Sequence, residues 1–219
     1  MKDQPKNILE IILTLFTVSE GQVKVFMIKK KDDPYKGYWV LPSEVLKEEE
    51  EDSETLDYII KNIVGIDGVS YEPYGVYSKL DRDIENRVVG INYVGLINST
   101  IVDLKQQDIE YDYEWFNIDN LPKIGYDHLD IVNDSREYLK KKLVNSTVLK
   151  DLFPSDFTLP EIQRTYEQIL NKTFDRRNFR KKFINLGLIE DTGYKNESQN
   201  GRPAKLYSFK DDIKERDLF

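Results

Sequence analysis

Between Asp175 and Lys182 the chain reads Asp-Arg-Arg-Asn-Phe-Arg-Lys-Lys, five cations within eight residues of a protein whose formal net charge is −8. Written on a helix, Asp175 stands at the N-cap and Phe179 and Phe183 fall at i and i+4 on a buried face. Arg176, Arg177, Arg180 and Lys181 project the other way. Such a face binds anions. Guanidinium groups make paired hydrogen bonds to guanine edges or salt-dependent contacts to phosphates, and Asn178 carries an amide suited to adenine. A plain solvated helix face would pair its cations with acids, yet Asp175 is the only acid among residues 171 to 182. The repulsion stays uncompensated until an anion arrives. Arg202, between Gly201 and Pro203, is suited to a phosphate or minor-groove contact.

A second group of residues points to a small ligand. Arg82, Asp83 and Arg87 can bind sugar hydroxyls or phosphates by paired hydrogen bonds, or can form an ordinary ion-pair group. Tyr93, in a strand, reads as core. His128, the only histidine, reads as a capping or packing residue, since no second His exists to share a metal. Lys47 followed by five acids through Asp52 reads as a solvated loop.

The bulk numbers narrow the classes. The 219 residues are 39% hydrophobic and 33% charged, as in a soluble globular protein of one large or two modest domains. With no cysteine, disulfides, thiol catalysis and Cys-based zinc are excluded, and a reducing cytoplasm is the simplest home. The apolar run from Ile8 to Phe16 is too short to span a bilayer and reads as a buried strand. Charge is unevenly placed: residues 145 to 219 hold 14 Lys plus Arg against 12 Asp plus Glu, leaving 18 against 28 before them. The basic character belongs to the C-terminal third.

The elements that must position these groups alternate strand and helix at first. Ile8 to Val18 and Gln22 to Lys30 read as strands joined by a turn at Ser19-Glu20-Gly21. Tyr38 to Leu41 is a short strand ending at Pro42. Ser53 is expected to cap a helix carrying Leu56, Ile59, Ile60 and Ile63, which Gly65 stops. Pro73 to Leu80, Arg87 to Asn98 and Tyr113 to Ile118 read as extended, and Leu129 to Leu143 as a helix. Periodicity breaks from Asn145 to Asp156, giving a boundary near residue 150. Thr158-Leu-Pro-Glu161 is then a capping box opening a helix with Ile162, Tyr166 and Ile169 on one face. After a break at Asn171 to Thr173 come the basic helix, a strand from Leu188 to Thr192, a polar loop from Gly193 to Pro203 and a strand from Ala204 to Phe209. Helix, helix, hairpin is the plan of a winged helix.

Gly37-Tyr-Trp-Val-Leu-Pro42, followed by a helix ending in Val64-Gly65-Ile66, resembles the approach and frame of a Nudix box, G-x5-E-x7-R-E-U-x-E-E-x-G-U with U apolar. With Gly65-Ile66 at its end, Glu44 takes the first Gly, Glu50 the first Glu, and Tyr58-Ile-Ile-Lys-Asn-Ile63 the place of R-E-U-x-E-E. In working members those glutamates hold Mg²⁺, which polarises a diphosphate and its attacking water. Ile59, Asn62 and Ile63 cannot replace them. Asp81-Arg-Asp83 with Arg87-Val-Val-Gly-Ile-Asn-Tyr93 is similar to a pattern of the Nudix-related transcriptional regulators. There the region borders an effector cavity. Phe157-Thr-Leu with Gln163 and Tyr166, the basic octapeptide, and Gly201-Arg-Pro-Ala-x-Leu-Tyr207 look like the winged helix of that family, and the Asp127-His128 pair also matches.

The resemblance implies an α+β protein. Residues 1–150 would form a Nudix-like α/β/α sandwich with a mixed sheet that senses an effector, and residues 151–219 a winged helix-turn-helix. It implies a cytoplasmic homodimer on duplex operator DNA, with no catalytic residue, metal or cofactor and no membrane partner. The effector would be ADP-ribose or a related nucleotide, or a pentose such as arabinose, and the match from Asp81 to Tyr93 leans to the pentose branch. The alternative is a Nudix hydrolase acting on ADP-ribose with Mg²⁺ held by Glu44, Glu48 to Glu51 and Asp52 as substitute ligands. A third reading is an adaptor whose basic helix docks on an acidic protein.

Overall fold

The computed structural model describes residues 7–100, 110–144, 149–196 and 203–210. Its axis is β1 (Ile8–Ser19), in which every residue from Ile11 to Val18 is buried. A strand buried on both faces reads as a continuous apolar run, and its side chains divide by twos. Ile11, Leu13 and Leu15 enter one core layer; Ile12, Phe16 and Val18 enter the other.

The sheet around β1 is mixed, as expected. On one side β2 (Gln22–Lys29) pairs antiparallel, and on the other β6 (Val88–Leu96) pairs parallel from Ile8 opposite Val88 to Phe16 opposite Leu96. β5 (Ser70–Tyr77) lies antiparallel to β6. β3 (Trp39–Val40) and β7 (Tyr113–Asn117) pair with β2, and β4 (Ser43–Val45) with β1. The short strand expected from Tyr38 to Leu41 is present as β3, ends before Pro42, and is followed by β4 beyond it. Pro42 has no N–H to give a ladder, so the chain pairs before it with β2 and after it with β1.

A helix covers each face. Leu56, Ile59, Ile60, Ile63 and Val64 pack on the Leu13 layer from α1 (Asp52–Tyr58) and its continuation Ile59–Val64. Ile131, Val132, Tyr138, Leu139 and Leu143 pack on the Phe16 layer from α2 (His128–Val144). The expected Ser53 cap is not the start of α1. Glu51 is the N-cap, and its N–H donates to Glu54 Oε2 at 2.9 Å. Tyr93 donates its hydroxyl to Asp52, fixing the first helical residue one position before Ser53. The continuation is π-helical: Gly65 N–H donates to Ile60 O, five residues back, and Gly65 takes φ +75° to end the turn.

The second unit begins with a short helix, α3 (Leu149–Leu152), inside the stretch where periodicity breaks. α4 (Leu159–Leu170) has the expected capping box: Thr158 N–H donates to Glu161 Oε2 at 2.6 Å and Glu161 N–H to Thr158 Oγ1 at 3.4 Å. Asn171, at φ +50°, ends it. α5 (Arg176–Asn185) follows, then an antiparallel hairpin of β8 (Ile189–Lys195) and β9 (Lys205–Phe209). β8 runs past the expected stop at Thr192, with a register shift that lets Lys195 face Lys205. Phe157 and Tyr207 exchange backbone hydrogen bonds at 2.9 and 2.8 Å, which ties the start of the unit to its wing.

Candidate ligand cavity and nucleic-acid interface

Asp175 caps α5 by accepting the Asn178 N–H at 2.9 Å. Phe179 and Phe183 are buried at 3% and 0% exposure and meet Tyr166 of α4 edge-on at 5.8 and 5.1 Å. That anchoring turns the opposite face outward. Arg176, Arg177, Asn178, Arg180 and Lys181 are all exposed, and among the described residues none of the four cations there has an ion-pair partner. Arg176 and Arg180 also border a groove of about 530 Å³ between α5 and the wing, where Lys195 and Lys205 add two cations the sequence reading missed. Their signal was weak because each is a single lysine with no other cation beside it. Arg202 lies outside the described residues.

In the sandwich, a cavity of about 500 Å³ opens beside β1, β2 and β4, within the range of small-ligand sites. Arg82 and Asp83 line it together with Glu10, Tyr111, Tyr126 and His128, and Lys29, Lys30 and Lys31 form a lysine wall in which Asp32 and Glu110 also stand. Arg87 is not brought to it; its Nη1 donates to the Ser78 and Lys79 carbonyls at 2.8 and 3.1 Å.

Arg82 is 5% exposed and fully engaged. Nε and Nη2 bind the two oxygens of Asp127 at 3.1 and 3.2 Å, and Nη1 binds Glu10 Oε2 at 2.9 Å. Burial opposes its charge, but the hydrogen bonds to Asp127 and the field of Glu10 outweigh that and raise its pKa. Gly90 makes room for it, since a Cβ there would lie 2.8 Å from Arg82 Nη2. Glu10 in turn accepts Ser43 Oγ at 2.8 Å.

His128 is 2% exposed, and its Nδ1 accepts the buried Leu41 N–H at 2.9 Å. That bond places the ring proton on Nε2. Burial lowers its pKa, only partly offset by Glu10 and Asp127. Tyr126 is pushed up to about 12 by burial, then by Asp83 and Glu10, and so stays a donor. Its ring lies 4.6 Å from Tyr35 and 5.4 Å from His128. Asp127 stands in the pair with His128 that the sequence singles out; Glu10, Tyr111, Tyr126 and the run Lys29 to Lys31 escaped the sequence reading because they come together from separate parts of the chain.

The positions framed by Gly65 do not fit a hard cation. Ile59 and Ile63 are buried at 0% and 2% in the apolar layer, and the exposed Asn62 amide donates to Tyr58 O at 3.2 Å. Of the substitute ligands, Asp52 accepts the Tyr93 hydroxyl, which is pushed up to about 12 by burial and then by Asp52. Glu50 is held by Lys47 at 2.7 Å and Thr55 at 3.2 Å. None of Glu44, Glu48 to Glu51 and Asp52 lines the cavity, and among the described residues no group of three or more His, Asp or Glu converges as a metal site. Among them, too, no helix is long and apolar enough to cross a membrane.

Comparison with known proteins joins the two units. Residues 149–209 match the NrtR DNA-binding winged helix domain family. The chain is 28% identical over 212 residues to the ADPR-responsive transcriptional repressor NtrR of Acinetobacter baylyi, covering 94% of this chain and 84% of that protein. It is 32% identical over 117 residues to an ADP-ribose pyrophosphatase of Methanocaldococcus jannaschii, covering 53% of this chain and 68% of that one. The crystal structure of Shewanella oneidensis NrtR complexed with a 27mer DNA superposes with TM-score 0.71 at 28% identity, over 92% of this chain and 93% of that one. The lean toward a pentose-responsive branch finds no support in these relatives. With a Nudix sandwich carrying a winged helix of this type, the chain belongs to the Nudix-related transcriptional regulators.

Proposed function

We propose that this protein is a DNA-binding repressor in which the sandwich, residues 1–150, senses ADP-ribose without hydrolysing it, and residues 151–219 grip duplex operator DNA. The observation that carries the reading is the exposed cation face of α5, which has no ion-pair partner among the described residues. Arg176, Arg177, Asn178, Arg180 and Lys181 make the base and phosphate contacts, and Arg202 adds a contact to them. The choice of effector is supported by the Acinetobacter relative, whose name records a response to ADPR. In the cavity the lysine wall suits a diphosphate, and Asp83 suits ribose hydroxyls. Arg82 shapes the wall through Glu10 and Asp127, while Arg87 braces the adjoining loop.

The protein acts as a cytoplasmic homodimer, the arrangement that reads two half-sites of a palindrome. Its test is binding to the duplex immediately upstream of its own gene, first alone, then with ADP-ribose, then with arabinose. Binding that shifts with ADP-ribose alone supports the reading; no binding, or a shift with arabinose only, overturns it.

The pyrophosphatase relative favours one rival, hydrolysis of ADP-ribose. The residues at Ile59, Asn62 and Ile63 argue against it. Steady turnover of ADP-ribose with Mg²⁺ or Mn²⁺, abolished by a chelator, would establish the rival instead.

A further inference from the structure

Three elements that lead away from the cavity at one end meet again at the other, on a single residue of the winged helix. β2 lines the cavity through Ile28 and Lys29 and begins near Val23; β7 follows Tyr111 and ends at Asn117; α2 starts at His128 and carries Arg136 two turns on. Gln168 of α4 holds all three. Its Oε1 accepts the Val23 N–H at 2.7 Å, and its Nε2 donates to Asn117 Oδ1 at 2.8 Å and Asp119 Oδ2 at 2.9 Å. The Gln168 backbone carbonyl accepts Arg136 Nη2 at 2.7 Å, and Arg136 pairs with Asp119 Oδ1 at 2.9 Å.

The Val23 bond is a rung of the sheet made by a side chain. Ile118 N–H donates to Val23 O at 3.1 Å, but β7 has ended, and the fully buried Val23 N–H finds its acceptor in Gln168. A buried N–H without a partner is costly, so the sheet is bound to α4 at this point. From there the coupling continues through packing. Tyr166, two residues earlier on α4, sits on Phe179 and Phe183, the buried face of the DNA-contacting helix.

We propose that Gln168 is the positioning residue through which occupancy of the cavity sets the placement of α5. A ligand drawn onto the lysine wall and His128 loads the near ends of β2, β7 and α2, and Gln168 delivers the movement of their far ends to α4. The inference rests on the proposed function, in which one site binds ADP-ribose and the other binds DNA. Allosteric linkage then requires that ADP-ribose change DNA affinity and DNA change ADP-ribose affinity by the same factor.

The test uses the full-length chain with Gln168→Glu, which keeps the acceptor for Val23 but removes the donor to Asn117 and sets a carboxylate against Asp119. Asp119→Ala, at a half-exposed site, cuts the same arm without touching α4. Affinity for ADP-ribose is measured without DNA, and affinity for the upstream duplex with and without ADP-ribose. Wild type should show a coupling factor on the order of 5–150-fold, and both variants should keep wild-type ADP-ribose affinity while their factor falls toward one. Variants that keep the wild-type factor overturn the role of Gln168. A wild type that binds neither ADP-ribose nor the duplex overturns the functional reading, and this inference with it.

Discussion

Arg82 grips Asp127 side-on, with Nε and Nη2 on its two oxygens at 3.1 and 3.2 Å, and the guanidinium is almost entirely closed off from solvent. The pair ties the loop after β5 to the start of α2, and Glu10 adds β1 through a third bond. Removing one partner of such a buried pair costs about 3–5 kcal/mol, because the other charge stays buried. Arg82→Ala should lose that much in urea denaturation, with two carboxylates left facing each other. A loss below about 1 kcal/mol, the level of an exposed pair, would show that the grip is not structural.

Gly90 faces the same guanidinium from β6, where it pairs with Glu10. An added methyl would lie 2.8 Å from both Arg82 Nη2 and Ile12 Cδ1, so Gly90→Ala should weaken ADP-ribose binding by displacing Arg82 from the cavity wall. Crowding of this kind costs about 1–3 kcal/mol. Unchanged ADP-ribose affinity and unchanged stability together would contradict it.

The lowered pKa of His128 links stability to pH. The folded protein holds the ring neutral below the ordinary value of 6.5, while the unfolded chain takes up a proton there. Stability from this group is therefore full above pH 6.5 and is lost as pH falls from there through the lowered folded-state value. His128→Asn retains an acceptor for Leu41 N–H and should flatten that part of the profile. His128→Ala should flatten it and also lose about 1–3 kcal/mol at neutral pH from the orphaned N–H. An unchanged slope in either variant would assign the pH dependence to other groups.

The face of α5 makes a quantitative claim about salt. Removing a cation that neutralises one phosphate lowers the slope of log K against log salt by about 0.9. Arg177→Ala with Arg180→Ala should reduce the slope by about 2 if both meet phosphates, or relax sequence preference at fixed slope if they read guanines. Full affinity and preference in gel-shift titrations would remove α5 from the interface.

What was legible in the sequence follows the range of the forces involved. α4 and α5 were readable to within a residue or two because their caps, Thr158 and Asp175, act through bonds three residues long. The buried strands were readable from apolar runs. α1 starts one residue before the expected Ser53 because the Glu51–Glu54 capping box sets it there, and Tyr93, 41 residues away along the chain, holds Asp52 by a contact that no local reading supplies. Cavity and joint were hidden for the same reason: Arg82 is defined by Glu10 and Asp127, and Gln168 by Val23, Asn117 and Arg136, none of them neighbours in sequence. Gln168 looked like one more polar residue on an amphipathic helix. Only assembly brings Val23, Asn117, Asp119 and Arg136 to it.

The π-helical turn from Ile59 to Val64 limits what can be rebuilt on it. Its side chains at 59 and 63 are sealed into the apolar layer at 0% and 2% exposure, while 62 stands in solvent. Three codon changes to glutamate would place two charges in that layer and leave the third on the outside, so the variant I59E/N62E/I63E should unfold rather than turn over ADP-ribose. The widened turn commits positions 59 and 63 to the core and leaves only 62 facing solvent, so carboxylates at these three positions cannot converge on one cation without opening the layer beneath them.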